Sequence, residues 1–228
     1  MVAKYYGQSC VEFDVDGTKI LIDPFIRYNP LAQGVDISVI RPDYIFLSHG
    51  HQDHVADMLP IQKQSQAKVA AVVETAEWVR RQGVDEESVI EFNLGGTLQL
   101  PFGRVKMVYA AHSNSTPDGA YGGFPVGFVF FLAGQTIYFS GDTALTMEMK
   151  LLERYKIDWA FLPIGGHYTM DAEDAALATT FMNCKKVIGV HYDTFPPIQI
   201  DKEQAKKAFA EVNAELTLLD IGQEISLS

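Results

Sequence analysis

The feature that most constrains this chain is a concentration of metal-binding side chains set directly behind an apolar, strand-like segment. Ser48-His49-Gly50-His51-Gln52-Asp53-His54 follows the apolar run 44–47. Within six residues, 49–54, it holds three imidazoles and a carboxylate. That donor set suits zinc, and also iron, manganese or nickel. In extended chain His49 and His51 point to one side, and Asp53 and His54 come a turn later as the chain enters a helix. One loop can therefore serve two adjacent metal positions. Strand ends of a sheet open on a common edge, so other strand ends can bring further ligands to it.

Three later residues obey the same placement. His112 follows the apolar segment 105–110, Asp142 follows 136–139, and His191 follows 186–190. Further strands are expected at 18–22, 69–73, 127–132, 159–162 and 216–219, with a hairpin turn at Ala133-Gly134-Gln135. Helices are expected at 57–64, at 75–82 with Thr75 as N-cap, and at 146–155, where Met147, Leu151 and Tyr155 recur every four residues. Two more are expected at 171–182 and at 201–212, the latter capped by Asp201. Strands with intervening helices predict an α/β or α+β layered domain. There is no linker, repeat or low-complexity tract, so one domain is expected over residues 1–228.

Composition excludes several classes. The net charge is −11, and the longest basic runs are the pairs Arg80-Arg81, Lys185-Lys186 and Lys206-Lys207. Those cannot build a surface that tracks phosphates, so a nucleic-acid partner is not expected. Cys10 and Cys184 form no C-x-x-C pattern or disulfide framework and read as reduced, buried thiols. No apolar stretch reaches the ~18 residues of a membrane span, and the first residues carry no signal-like apolar region. A cytoplasmic location is expected. A homo-oligomer is expected on base rates, with no interface identifiable from the sequence.

The order His-x-His-x-Asp-His, then His, Asp and His, resembles the metallo-β-lactamase superfamily. The resemblance spans essentially the whole chain. It implies a four-layer αββα sandwich with a dinuclear site on one edge. Carried over to this sequence, it implies that His49, His51 and His112 hold one metal, that Asp53, His54 and His191 hold the other, and that Asp142 bridges them. Redox diiron members carry Glu at the position of His51, so His51 favours a hydrolase. Ile22-Asp23-Pro24-Phe25, Pro163-Ile164-Gly165-Gly166-His167-Tyr168-Thr169-Met170 and Val190-His191-Tyr192-Asp193-Thr194 are similar to small metal-dependent hydrolases related to L-ascorbate-6-phosphate lactonase. N-acyl-phosphatidylethanolamine phospholipase D is a more distant relative. Gln8 departs from that pattern, where relatives often have His, which weakens any supporting role for the position.

The implied cofactors are two divalent ions, zinc or manganese first, with iron or nickel compatible. A hydroxide shared by two such ions is the expected nucleophile, cleaving a small-molecule ester, lactone or amide. Asp53 is expected to orient it and move a proton, and His167 to act as general acid or oxyanion donor. Asp23 is expected to fix a ligand histidine's tautomer from behind. Substrate contacts are expected from Tyr168, Tyr192, Asn114 and Tyr121, the last two on the Gly- and Pro-rich segment 113–125. Tyr121 and Phe124 are the expected apolar walls. The alternatives are a phosphodiesterase acting on a small phosphodiester, lipid headgroup or nucleic acid, and, more remotely, a non-catalytic metal-binding protein.

Overall fold

The apolar runs that suggested strands become the central strands of two sheets, because residues buried on both faces satisfy their backbone groups only by pairing with each other. The computed structural model describes residues 1–228. The first sheet takes β1 (Val2–Gly7), β2 (Cys10–Val15), β3 (Thr18–Ile22), β4 (Tyr44–Phe46), β5 (Lys68–Val72) and β6 (Val89–Phe92). The second takes β7 (Thr97–Leu100), β8 (Gly103–Tyr109), β9 (Val126–Leu132), β10 (Gln135–Phe139), β11 (Trp159–Pro163), β12 (Lys186–Val190) and β13 (Glu215–Thr217). The last strand, β14 (Glu224–Ser226), returns to the first sheet beside β1. Each sheet thus has seven strands, ordered β14-β1-β2-β3-β4-β5-β6 and β13-β12-β11-β10-β9-β8-β7. Each begins as an antiparallel meander and continues in parallel.

Phenylalanines fill the space between the sheets. Phe13 meets Phe130 and Phe161, and Phe46 meets Phe128 and Phe130, edge to face with centroids 5.3–5.6 Å apart. These rings are fully buried, each contributing roughly 1.5–3 kcal/mol of apolar transfer energy. Outside the first sheet pack α2 (Met58–Ser65) and α3 (Val73–Arg81), which follow the short α1 (Gln52–Val55). Outside the second pack α4 (Ala172–Met182) and α5 (Lys202–Glu211). The result is four layers, αββα.

Two helix expectations need correction. Segment Met147–Tyr155 is a 3₁₀ helix, and its i, i+4 residues Met147 and Leu151 face outward while Met149 and Leu152 are buried. Thr75 is not a cap: α3 starts at Val73, and the buried Thr75 hydroxyl donates to Gly122 O at 2.7 Å. The hairpin is as read. Ala133 and Gly134 both take positive φ between paired Leu132 and Gln135, as a two-residue turn that matches strand twist demands.

This topology builds the functional edge. β8 and β10 both run antiparallel to β9, and β10, β11 and β12 are parallel. The carboxyl ends of β8, β10 and β12 therefore open on one side. The loop after β4 joins them there, pinned by the Val126 N–H donating to Ser48 O at 3.0 Å.

Candidate metal centre

After β4 the chain makes a tight turn through Gly50 and enters α1 with His51 as N-cap. A side chain at Gly50 would press on Thr116 Cγ2 at 2.9 Å and Ser115 O at 3.1 Å. Glycine is required by this close approach. Gly50 N–H donates to Asn114 Oδ1 at 2.8 Å, which fastens segment 113–125 onto the histidine turn.

A buried carboxylate orients two of the histidines. Ser48 Oγ donates to Asp23 Oδ2 at 2.6 Å, and Ser48 N–H donates to Asp23 Oδ1 at 2.8 Å. With its proton committed, the Ser48 hydroxyl accepts from His49 Nδ1 at 2.9 Å. His54 Nδ1 donates to Asp23 Oδ2 at 2.8 Å. The network assigns both imidazoles the Nδ1–H tautomer and turns both Nε2 lone pairs toward the cleft. Asp23 itself sits at positive φ, its N–H held by Phe46 O at 3.0 Å.

The donors converge in two groups. The ligand atoms of His49, His51 and His112 lie within 4.8 Å of one another, as do those of Asp53, His54 and His191. His49 Nε2 and His51 Nδ1 are 3.0 Å apart. Asp142 Oδ2 lies between the groups, 2.9 Å from His191 Nε2, 3.3 Å from His54 Nε2 and 3.7 Å from His112 Nε2. His54 Nε2 and Asp142 Oδ1 are buried without a hydrogen-bond partner. Unpaired buried polar atoms of this kind are costly, and closely gathered nitrogen and carboxylate atoms without cysteine fit divalent metal. The site therefore fits the cations its chemistry implies.

Electrostatics separate the two groups. Burial holds His49, His51 and His112 below the ordinary imidazole range, which favours the neutral, ligating form. Burial is the largest influence on His54 and His191 and opposes their charge, but the surrounding carboxylates, Asp142 foremost, together outweigh it. His54 is pushed well up, with Asp53 and Asp23 contributing, and His191 is raised to about 9. Burial alone would raise Asp142 and Asp53; His191 and His54 hold both carboxyls below their usual range. An arriving cation would take over the role of these imidazole protons.

Gln8 has a part the sequence did not assign to it. Its buried Nε2 donates to Asp53 Oδ2 at 2.8 Å, and its carbonyl accepts from His191 N–H at 2.8 Å. It thereby ties the β1–β2 turn of one sheet to the end of β12 in the other, and it orients Asp53. Gln8→Ala is expected to weaken metal binding roughly tenfold, measured by competition with a chelating dye. Gln8→His, which can return an N–H donor, should recover most of that loss, and unchanged affinity in Gln8→Ala would remove Gln8 from this role.

The remaining expected site residues are not all brought together. Tyr168 lines the cleft of about 660 Å³ above the donors, together with Phe25, Tyr28 and Phe195. Asn114 is turned inward, its amide spent on Gly50 N and Gly122 O, so it does not face a substrate. Tyr192 is buried and lines a separate cavity with Tyr5 and Lys202. Tyr121 and Phe124 point to solvent and do not wall the cleft. His167 is exposed at positive φ, packs edge-on against Tyr168, and lies outside the lining.

Comparison with known proteins gives a consistent picture. The family model described as "Beta-lactamase superfamily domain" matches residues 18–192. A protein of Methylacidiphilum infernorum named a metal-dependent hydrolase is 43% identical over 228 residues, covering 100% of both chains. One of the same name from Flavobacterium johnsoniae is also 43% identical over 228 residues, again with 100% of both covered. Among solved structures, Igni18, described as a novel metallo hydrolase from Ignicoccus hospitalis, superposes with a TM-score of 0.87 at 33% identity, over 98% of this chain and 97% of that one.

Proposed function

The chain belongs to the metallo-β-lactamase superfamily as one of its metal-dependent hydrolases, and from that premise we propose that it hydrolyses a small ester, lactone or amide. His49, His51 and His112 would hold one divalent ion, Asp53, His54 and His191 a second, and Asp142 would touch both. Zinc or manganese suits this histidine and carboxylate set. When bound, the ions supply an acidified water and polarise the substrate oxygen.

The protein's own groups do the rest. Asp53 is the most accessible carboxylate of the cluster and lines the cleft. Held by Gln8, it is placed to orient the attacking water, accept its proton and pass that proton to the leaving group. Asp23 and Ser48 keep His49 and His54 aimed at the cleft, so the donors need no rearrangement. Both cysteines are buried in the apolar clusters away from the cleft, so neither serves as nucleophile.

The observation that carries the reading is the position of Asp142 Oδ2 between two donor groups that open into one cleft. Its test is a side-by-side assay of lactones and esters against phosphodiesters, on protein reconstituted with Mn²⁺ or Zn²⁺. Asp142→Ala protein serves as the blank. Ester or lactone preference supports the reading, and phosphodiester preference overturns it.

The scheme gives His167 no part, since it is exposed and is not among the residues that line the cleft. His167→Ala is expected to keep its metal and to hold kcat/KM within about twofold of wild type. A tenfold loss would show that it reaches the substrate.

A further inference from the structure

The walls of the cleft carry chemistry that the hydrolytic scheme does not use. Four aromatic rings stand above the metal-binding donors. Phe25 and Phe195 pack with centroids 6.2 Å apart, while Tyr28 and Tyr168 are more than half exposed beside the opening. None of the lining residues is a lysine or an arginine, and two of them, Asp53 and Asp142, are acids. The nearest arginine is already committed. Arg27 donates from Nε to Asp57 Oδ1 at 2.5 Å, and its guanidinium lies 5.4 Å from the centroid of the Tyr28 ring.

The same contact makes the wall rigid. Asp57 is fully buried and also accepts Ile26 N–H at 2.6 Å and Arg27 N–H at 2.8 Å. The segment that presents Phe25 and Tyr28 is therefore fixed to the N-terminal end of α2. A preformed apolar seat binds without first ordering its own side chains. An anionic substituent held against these rings, away from the metal-binding donors, would be partly desolvated and would meet no lysine or arginine among the lining residues.

Resting on the hydrolytic reading above, we propose that the substrate is a neutral ester, lactone or amide whose aryl or alkyl group lies between Phe25, Tyr28, Tyr168 and Phe195. Its scissile carbonyl then faces Asp53 and Asp142. Substrates with a second anionic group remote from the reacting bond, such as phosphorylated or carboxylated acyl chains, are disfavoured. Hydrolysis adds one water across the acyl bond; the hydroxyl goes to the acyl carbon and the proton to the departing oxygen or nitrogen.

The test compares two esters with the same reacting bond on the metal-loaded protein. 4-Nitrophenyl hexanoate has a neutral tail, and the mono-4-nitrophenyl ester of adipic acid carries a carboxylate at the end of its tail. The neutral ester should have a kcat/KM at least about tenfold higher, equivalent to 1.4 kcal/mol. Phe195→Ala should reduce that preference to about twofold, the loss expected when one aromatic contact is removed. Tyr28→Lys, at an exposed position, should shift preference toward the adipate ester by about fivefold or more.

A binding arm is independent of turnover. 4-Phenylbutan-1-ol, titrated calorimetrically, should bind wild type about tenfold more tightly than Phe195→Ala or Tyr28→Ala, with metal content and melting temperature measured alongside. Equal turnover of the two esters, or alcohol binding unchanged in both variants, would overturn the proposal. If neither ester is hydrolysed although metal is bound, the hydrolytic reading fails, and the calorimetric arm alone decides whether the seat exists.

Discussion

Asp142→Ala is expected to lose metal and activity together. Asp142 Oδ2 lies 2.9 Å from His191 Nε2 and within 3.7 Å of both His54 and His112. Of the other nearby carboxylates, Asp53 pairs only with His54 and His191, and Asp23 lies behind the histidines, at the Nδ1 of His54. Losing a partner one step removed from a metal costs roughly 10- to 100-fold in affinity or activity. Loss of a direct, shared ligand should therefore exceed about 100-fold in metal affinity, with kcat/KM falling by at least as much. Asp142→Asn keeps the shape but not the charge and should lose metal in the same way while remaining folded. Metal content after desalting, read by mass spectrometry beside kcat/KM, decides the point. Retention of bound metal with unchanged turnover would place Asp142 outside the site.

The second large effect is expected at Asp23, which touches no substrate. Its carboxylate is fully buried and accepts from Ser48 N, Ser48 Oγ and His54 Nδ1. Burial pushes its pKa up, and the charge and hydrogen bond of His54 offset part of that. Asp23→Ala leaves three buried donors unpaired at once. Breaking a buried charged pair costs about 3–5 kcal/mol, and about 1 kcal/mol lowers the melting temperature of a chain this size by roughly 2–4 °C. A fall of about 10 °C is expected, together with metal affinity lowered about 10- to 100-fold because His49 and His54 are no longer held in one tautomer. Thermal denaturation and metal titration measure the two effects separately. A variant that melts early but binds metal as tightly as wild type would show that Asp23 supports the fold and not the ligands.

The clustering of the candidate ligands was legible in the sequence because donor sets for metal are built locally. His49, His51, Asp53 and His54 share one loop, and His112, Asp142 and His191 each follow an apolar run that does become a strand. β3 and β12 fall where their apolar runs placed them, since buried parallel strands leave a continuous hydrophobic signature. β1, β2, β6, β7 and β14 were missed because their sequences mix polar or charged residues with apolar ones over a short span, as with Glu12, Asp14, Glu91 and Gln99.

Around the candidate ligands, sequence proximity does not decide which residues line the cleft. His167 and Tyr168 are neighbours whose rings pack edge to face, yet only Tyr168 is among the residues lining the cleft. Tyr192 is adjacent to His191 but points into another cavity, while Phe195, four residues beyond His191, lines the cleft. Gln8 lies far from every candidate ligand in sequence and meets Asp53 only because the β1–β2 turn and the end of β4 open on the same edge of the first sheet. Asn114 follows His112 closely, but its amide is consumed by the loop it anchors. Which face a loop residue turns to is set by long-range hydrogen bonds that no local pattern records.

The central claim is that the histidines and carboxylates at this strand edge form a two-ion metal centre. The most direct measurement is the metal content of wild-type protein after loading with Mn²⁺ or Zn²⁺ and removal of free ions. The account predicts about two ions per chain, falling sharply in Asp142→Ala. Less than one ion per wild-type chain, or the same content in both proteins, would contradict it.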